Sequence, residues 1–337
     1  MSPTTPLLSV RDLCVRFPAA REGRTRRWVH AVEEVSFDIP RGTTLGLVGE
    51  SGSGKSTIGN ALTGLVPATS GTVELAGEDV LAARGSRARE LRRRIAMVFQ
   101  DPYASLDPRR TVGATIREPL DVHRLLGDRR ARDARVAELL GLVGLPAGAA
   151  QRYPHEMSGG QRQRVSIARA LAGDPDLVVL DEATASLDVS VQAQIMNLLR
   201  RLQGELGLTY LFIAHDLAAV EHMSHDVVVM YLGRVMEHGS RTALYRQPAH
   251  PYTQALMSAI PDDDPVVERS RERILLTGEL PSPLNPPSGC VFRTRCPLAV
   301  EACAGVITPR DFAADHRAWC IRTDEALRTE RLRSAAR

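Results

Sequence analysis

No apolar run in this sequence approaches the roughly 18–20 residues needed to cross a bilayer, which argues against a membrane-spanning helix. The start, Met1-Ser-Pro-Thr-Thr-Pro6, lacks the charged-then-apolar layout of a secretory signal. A soluble chain is therefore expected, with any membrane contact made through a partner. Charge of one sign is also scarce: the net value is only +3. Arginine is nevertheless unevenly spread, dense at 84–94, at 109–135 and after Arg322. Such a surface suits nucleic acid, anionic lipid or an acidic partner, or is simply the solvated face of an arginine-rich protein. Cysteine is sparse, at five, and four of the five fall in the last fifty residues or so.

What is present points to a nucleotide. The stretch Gly49-Glu50-Ser51-Gly52-Ser53-Gly54-Lys55-Ser56, followed by Thr57, fits the phosphate-binding pattern G-x-x-x-x-G-K-[ST]. Thr44–Val48 before it reads as a buried strand, and Thr57 onward opens like a helix. The three glycines free the backbone to turn successive N–H groups onto phosphate oxygens, and the helix start adds its dipole. In that pattern Lys55 reaches the outer phosphates and the Ser56 hydroxyl ligates magnesium. A strand before and a helix after make a chance lysine in a glycine-rich turn the weaker alternative.

The 337 residues suggest roughly two domains, and 43% hydrophobic content is ample for a core. Leu7–Phe17 and Val29–Ile39 alternate apolar and polar residues as strands do, around an arginine-rich insertion at 20–27. Phe17 and Trp28 are candidates to stack on an adenine, an ordinary edge-strand aromatic being the alternative for each. Apolar strands are expected at 95–99, 177–180 and 210–214, and a hairpin at 226–237. Residues 111–150 read as helical. Another helix follows the N-cap candidate Ser158. Gln100, Asp181, Glu182 and His215 stand where three of these strands end, the usual ligand edge of an open α/β sheet.

Taken with the phosphate loop, Ser158-Gly159-Gly160-Gln161, Gln100, Asp181-Glu182, Ser186-Leu187-Asp188 and His215 closely resemble the ATP-binding-cassette (ABC) ATPase family over residues 7 to about 240. Met157 stands where leucine is usual and Ala183 where many members have proline. The resemblance implies an α/β P-loop cassette at 1–245: a mostly parallel sheet, an antiparallel β subdomain and a helical subdomain at about 101–165. It implies that Ser56, Gln100 and Asp181 hold Mg2+, that Glu182 orients or deprotonates water, and that His215 contacts the γ-phosphate. Ser158–Gln161 would touch ATP held by a second subunit, a copy or a paralogue, with Asp188 helping to join the two sites.

The text 100–109, Gln192-Ala193-Gln194 and His250-Pro251-Tyr252-Thr253 resemble the oligopeptide and dipeptide importer branch in particular, with nickel and glutathione importers as cousins. That placement implies two transmembrane permease subunits and, indirectly, an extracytoplasmic binding protein. The chain would sit peripherally on the cytoplasmic face of the plasma (inner) membrane. A soluble ABC protein working on nucleic acid or the ribosome is the competing class. It often carries coiled-coil insertions or two cassettes, and this chain has neither, so no nucleic-acid partner is expected. A nucleotide kinase ranks third, because the signature loop argues against it.

Residues 246–337 resemble the C-terminal segment of the peptide-importer ATPases, through Cys290-x5-Cys296-Pro297-x5-Cys303-x16-Cys320. Clustered cysteines in a reducing compartment usually mean metal, but these spacings are looser than those of zinc ribbons. The resemblance implies a 4Fe–4S cluster on the four thiolates. Zinc is the alternative, and four buried unliganded thiols the plainer one. The proline-rich tail is expected to depend on that metal for its order, and the cassette to bind ATP without it.

Overall fold

The computed structural model describes residues 5–22, 25–185, 187–260 and 273–326. Among them, twelve strands form two sheets: β1 (Leu8–Glu22), β2 (Thr25–Ile39), β3 (Thr44–Val48), β4 (Ser70–Leu75), β5 (Glu78–Asp79), β6 (Ile95–Val98), β7 (Leu177–Asp181), β8 (Thr209–Ile213), β9 (Asp226–Tyr231), β10 (Arg234–Ser240), β11 (Arg310–Ala313) and β12 (His316–Ala318). The smaller sheet, β2-β1-β4-β5, is antiparallel throughout. The larger runs β11-β12-β10-β9-β3-β8-β7-β6, with a parallel centre from β9 to β6 and an antiparallel edge of β10, β12 and β11.

The apolar runs lack polar alternation because both faces of the central strands are covered. Along β7 and β8, Val178, Leu180, Tyr210 and Phe212 face one core while Leu177, Val179, Leu211 and Ile213 face another. The second core lies against the antiparallel sheet, through Leu8, Val10, Val15, Val35 and Phe37. The second core also takes α1 (Lys55–Leu62) and α2 (Gly85–Arg93), through Ile58, Ala61, Leu62 and Leu91. The first packs the other helices: α3 (Pro102–Ser105), α4 (Val112–Val122), α5 (Arg129–Leu142) and α6 (Gly159–Leu171) make the helical subdomain; α7 (Val189–Leu206) and α8 (Leu217–Met223) cover the sheet; α9 (Arg241–Arg246) and α10 (Pro251–Ser258) follow it.

Three expectations are corrected. The arginine-rich stretch at 20–27 is not an insertion outside the sheet, because β1 and β2 extend into it from either side, pairing Arg21 with Arg26 and Glu22 with Thr25. The helical stretch 111–150 is two α-helices and a 3-10 turn. It breaks at Arg124 and Leu126, where φ is +53° and +58°, and α5 restarts with Asp128 as N-cap. The tail is not held by metal alone: β12 pairs with β10, and Val291 and Phe292 are fully buried in the first core. Much of the arginine excess is also answered internally. Arg94 pairs with Asp176 at 2.6 Å, Arg117 with Asp133 at 2.6 Å and Arg132 with Asp121 at 2.7 Å. These are mostly surface pairs of small energetic value, yet they leave less unpaired charge for a polyanion.

Candidate nucleotide site

Because β6, β3, β8 and β7 are parallel, their C-terminal ends share one edge, and the chemistry collects there. The loop after β3 is shaped by close backbone approaches. Gly49 has φ +150°, and a Cβ there would run into the Met230 carbonyl oxygen. Gly54, at φ +98°, caps α1 and lies against the Ala31 carbonyl of β2 in the same way. The Gly233 N–H donates to the Ser53 carbonyl at 3.0 Å, closing the loop from the β9–β10 turn.

Lys55 is buried and its Nζ donates to the carbonyls of Gly49 (2.7 Å) and Glu50 (2.9 Å) and to Ser53 Oγ (3.2 Å). Burial pushes its pKa down, opposed by the carboxylates of Glu182, Asp181 and Glu50. Asp181, at the end of β7, accepts from Ser56 Oγ at 2.9 Å. Burial raises its pKa, with Ser56 pulling the other way. A buried ammonium and a buried carboxylate, both pushed towards neutrality, are groups that gain when a phosphate and a cation arrive.

Glu182 follows in the left-handed region, at φ +46°, a conformation costly for a residue with a Cβ and concentrated at functional sites. Its backbone N–H donates to Ile213 O at 2.9 Å. The carboxylate accepts from Gln100 Nε2 at 2.6 Å and lies 3.5 Å from His215 Nδ1. The structure thus brings Lys55, Ser56, Gln100, Asp181, Glu182 and His215 together. Oxygen donors from Ser56, Gln100 and Asp181 suit the preference of Mg2+ for hard ligands.

Ser158, Gly159, Gly160 and Gln161 lie elsewhere, at the start of α6. Ser158 and Gln161 form a reciprocal capping box, with Gln161 N–H to Ser158 Oγ at 3.4 Å and Ser158 N–H to Gln161 Oε1 at 3.1 Å. A Cβ on Gly160 would come within 2.6 Å of Val191 Cγ1, so the glycine lets α6 approach α7. Asp188 caps α7, accepting from Val191 N–H at 3.0 Å, and that backbone bond holds its carboxyl below the usual range. Among the described residues no hydrogen bond or ion pair links 158–161 to 49–57. Ser186 lies outside the described residues. Phe17 and Trp28 are both partly exposed on neighbouring register positions of β1 and β2.

The four tail cysteines lie near one another: Cys290, Cys296 and Cys303 raise the pKa of Cys320, and Cys303 that of Cys290 and Cys296. Burial, the larger cause, pushes Cys296 up to about 11 and Cys320 up to about 12. Cys290 shifts upward for the same reasons. The expected ligand sphere is not formed, however. Among the described residues no group of three or more His, Cys, Asp or Glu is arranged to hold a metal ion. The physical reason is that backbone bonds, Cys290 N–H to Cys303 O at 2.9 Å and Ala299 N–H to Cys296 O at 3.2 Å, set the turns, while burial favours the neutral thiol.

Sequence reasoning missed the residues that brace the phosphate loop. Tyr252 Oη accepts from the Glu50 N–H at 2.9 Å, and Arg295 Nη1 donates to Glu50 Oε2 at 2.8 Å. The tetrapeptide at 250–253 carried the only signal, as a mark of resemblance rather than of this contact.

Comparison with known proteins agrees with this geometry. The family described as "ABC transporter" matches residues 32–185, and "Oligopeptide/dipeptide transporter, C-terminal region" matches 236–303, short of Cys320. A putative oligopeptide transport ATP-binding protein, YkfD of Bacillus subtilis (strain 168), is 52% identical over 329 residues, 96% of this chain and 99% of that protein. A putative peptide import ATP-binding protein of Brucella abortus (strain 2308) is 55% identical over 293 residues, 87% of this chain and 86% of its own. Among solved structures, a dimeric post-hydrolysis state of the ATP-binding cassette MJ0796 bound to ADP and Pi superposes with a TM-score of 0.61 at 28% identity, covering 69% of this chain and 98% of that one. The chain cbiO1 from Clostridium perfringens, part of an ABC transporter complex, gives 0.61 at 28%, covering 72% and 91%. Among the described residues no helix is long and apolar enough to cross a membrane.

Proposed function

Since this chain belongs to the ABC importer ATP-binding family, as a 52% identity over 96% of its length requires, we propose that it is the ATP-hydrolysing subunit of an importer for oligopeptides or dipeptides. The observation that carries the reading is the assembly at one sheet edge of Ser56 on Asp181 (2.9 Å) and of Glu182 between Gln100 (2.6 Å) and His215 (3.5 Å). Phosphoryl transfer asks chiefly for positioning and charge neutralisation. The loop N–H groups and Lys55 bind the phosphates. Ser56, Gln100 and Asp181 hold Mg2+, which when bound neutralises phosphate charge. Glu182 takes a proton from water, and His215 orients Glu182 and contacts the γ-phosphate. Phe17 stacks on the base, with Trp28 as its alternative.

The exposed capping box at Ser158–Gln161 then serves ATP held by a second cassette, with Asp188 near the joint. A related cassette, MJ0796, has been solved as a dimer with ADP and Pi. We place the chain peripherally on the cytoplasmic face of the membrane, against two permease subunits, with the cassette ending near 245. The tail quartet of Cys290, Cys296, Cys303 and Cys320 is proposed to take a metal, a 4Fe–4S cluster before zinc. What supports this is the mutual influence of the tail cysteines; because no metal-holding group is formed among the described residues, binding would have to draw the thiols together and deprotonate them.

The decisive experiment is Glu182→Gln, which keeps shape and removes the base. ATP binding should persist while turnover falls about 10²-fold or more. Wild-type turnover from a preparation free of other ATPases would remove Glu182 from its role.

A further inference from the structure

The cysteine-bearing tail and the phosphate loop are joined by one side chain. Arg295, next to Cys296, is largely buried at 11% side-chain exposure and donates from Nη1 to Glu50 Oε2 at 2.8 Å. The same nitrogen lies 3.3 Å from the Tyr231 hydroxyl. Glu50 is thereby gripped at both ends, since its N–H is bonded to Tyr252 Oη at 2.9 Å. The turn that presents Arg295 is itself wedged into the core. Phe292 packs against both Tyr231 and Tyr252, which also touch each other, at ring-centroid distances of 5.3 and 5.2 Å, and the Arg295 N–H returns to the Phe292 carbonyl at 3.0 Å.

Glu50 poses a problem that this arrangement answers. It places a carboxylate one residue after Gly49, inside a loop whose task is to receive a polyanion. Unpaired, that charge would repel the phosphates across a partly dehydrated site, where Coulomb terms are screened weakly. A guanidinium held by a turn that is anchored in the core neutralises it and fixes its position.

We propose that Arg295 is a positioning residue for the nucleotide site, acting through Glu50, so that nucleotide affinity depends on the fold of the cysteine-bearing tail. The inference rests on the reading of Gly49–Ser56 as an ATP loop. It adds to the sequence expectation, that the cassette binds ATP without the tail's metal, a dependence on the tail's fold.

The test uses the full chain and MgATP, with calorimetric Kd and steady-state KM and kcat for wild type, Arg295→Met, Arg295→Lys, Glu50→Gln and the double variant Glu50→Gln/Arg295→Met. Methionine keeps the buried stem without charge and should weaken MgATP about tenfold, the low end for a charge-assisted bond. The loss should fall on KM, with kcat within about threefold. Lysine should stay within about threefold of wild type in affinity. Removing the carboxylate should rescue the methionine variant: the double variant should bind several-fold more tightly than Arg295→Met alone, an interaction that a merely structural arginine would not show. Wild-type affinity in Arg295→Met, or a double variant as weak as the single one, overturns the proposal. If Arg295→Met does not fold, Arg295→Lys decides alone, since a tenfold loss with charge retained contradicts it. A folded wild-type chain that binds no MgATP removes the ATP-site reading itself, whereas binding with no effect at Arg295 removes only this inference.

Discussion

Two glycines of the phosphate loop separate the cost of backbone conformation from the cost of crowding. Gly52 has φ +77° and open space where a Cβ would go; Gly54 has φ +98° and the Ala31 carbonyl oxygen well inside van der Waals contact of that position. Alanine at either site must hold a left-handed conformation, at about 1–2 kcal/mol. At Gly54 the obstacle is backbone, which cannot rotate away, so β2 or the first turn of α1 has to shift. Overpacking of that kind adds about 1–3 kcal/mol. Urea unfolding without nucleotide should therefore place Gly52→Ala about 1–2 kcal/mol below wild type and Gly54→Ala about 2–5 kcal/mol below, at an unchanged m value. MgATP binding should follow the same order, because a shift of α1 moves Lys55 and Ser56. Equal losses in the two variants would show that the close approach to Ala31 does not shape the loop. Wild-type stability in both would refute the left-handed geometry as well.

Mixing Lys55→Ala with Ser158→Arg chains leaves one composite site with both lesions and the other with neither. ATPase activity should reappear in the mixture if this chain pairs with itself; a dead mixture points to a paralogue as partner. His250 is buried, its Nδ1 accepts from the Tyr252 N–H at 3.0 Å and its Nε2 has no hydrogen-bond partner among the described residues. Burial lowers its pKa from 6.5 to about 4, so the fold favours the neutral ring: that stability is complete above pH 6.5 and is lost as pH falls towards 4. The loss is about 3 kcal/mol, and denaturation of His250→Asn, which keeps a capping acceptor without titrating, should show a flatter acid limb. Anaerobically purified chain should carry roughly four irons and four sulfides and absorb broadly in the visible, and Cys296→Ser should bleach it. Stoichiometric zinc without iron moves the tail to the alternative metal, and no metal at all leaves four buried thiols.

Much of this site was legible because its parts are local in sequence. A phosphate loop is eight consecutive residues with a strand before it and a helix after, and Thr44–Val48 and Lys55–Leu62 take those conformations. Strands buried on both faces read as unbroken apolar runs, so 177–180 and 210–214 marked the sheet centre, and the polar residues after them marked its ligand edge. Ser158 as an N-cap was equally local. The pairing of Arg21 with Arg26 and Glu22 with Thr25 was hidden because an arginine-rich stretch carries no alternation to recognise, and pairing with the partner strand decides its conformation.

The bracing of the loop was not legible because its partners are 202 and 245 positions away from Glu50. Nothing in the local pattern around Arg295 distinguishes it from the other arginines of the tail. Its role appears only once Phe292 is seen in the core, clustered with Tyr231 and Tyr252. The same contact changes how the tail is understood. Spacing and proline content suggested a segment ordered by metal, whose loss the cassette's ATP binding would survive, but a fully buried phenylalanine and a strand added beside β10 give it apolar and backbone terms of its own. The tail is therefore docked through its own contacts, and Arg295 carries that docking to Glu50.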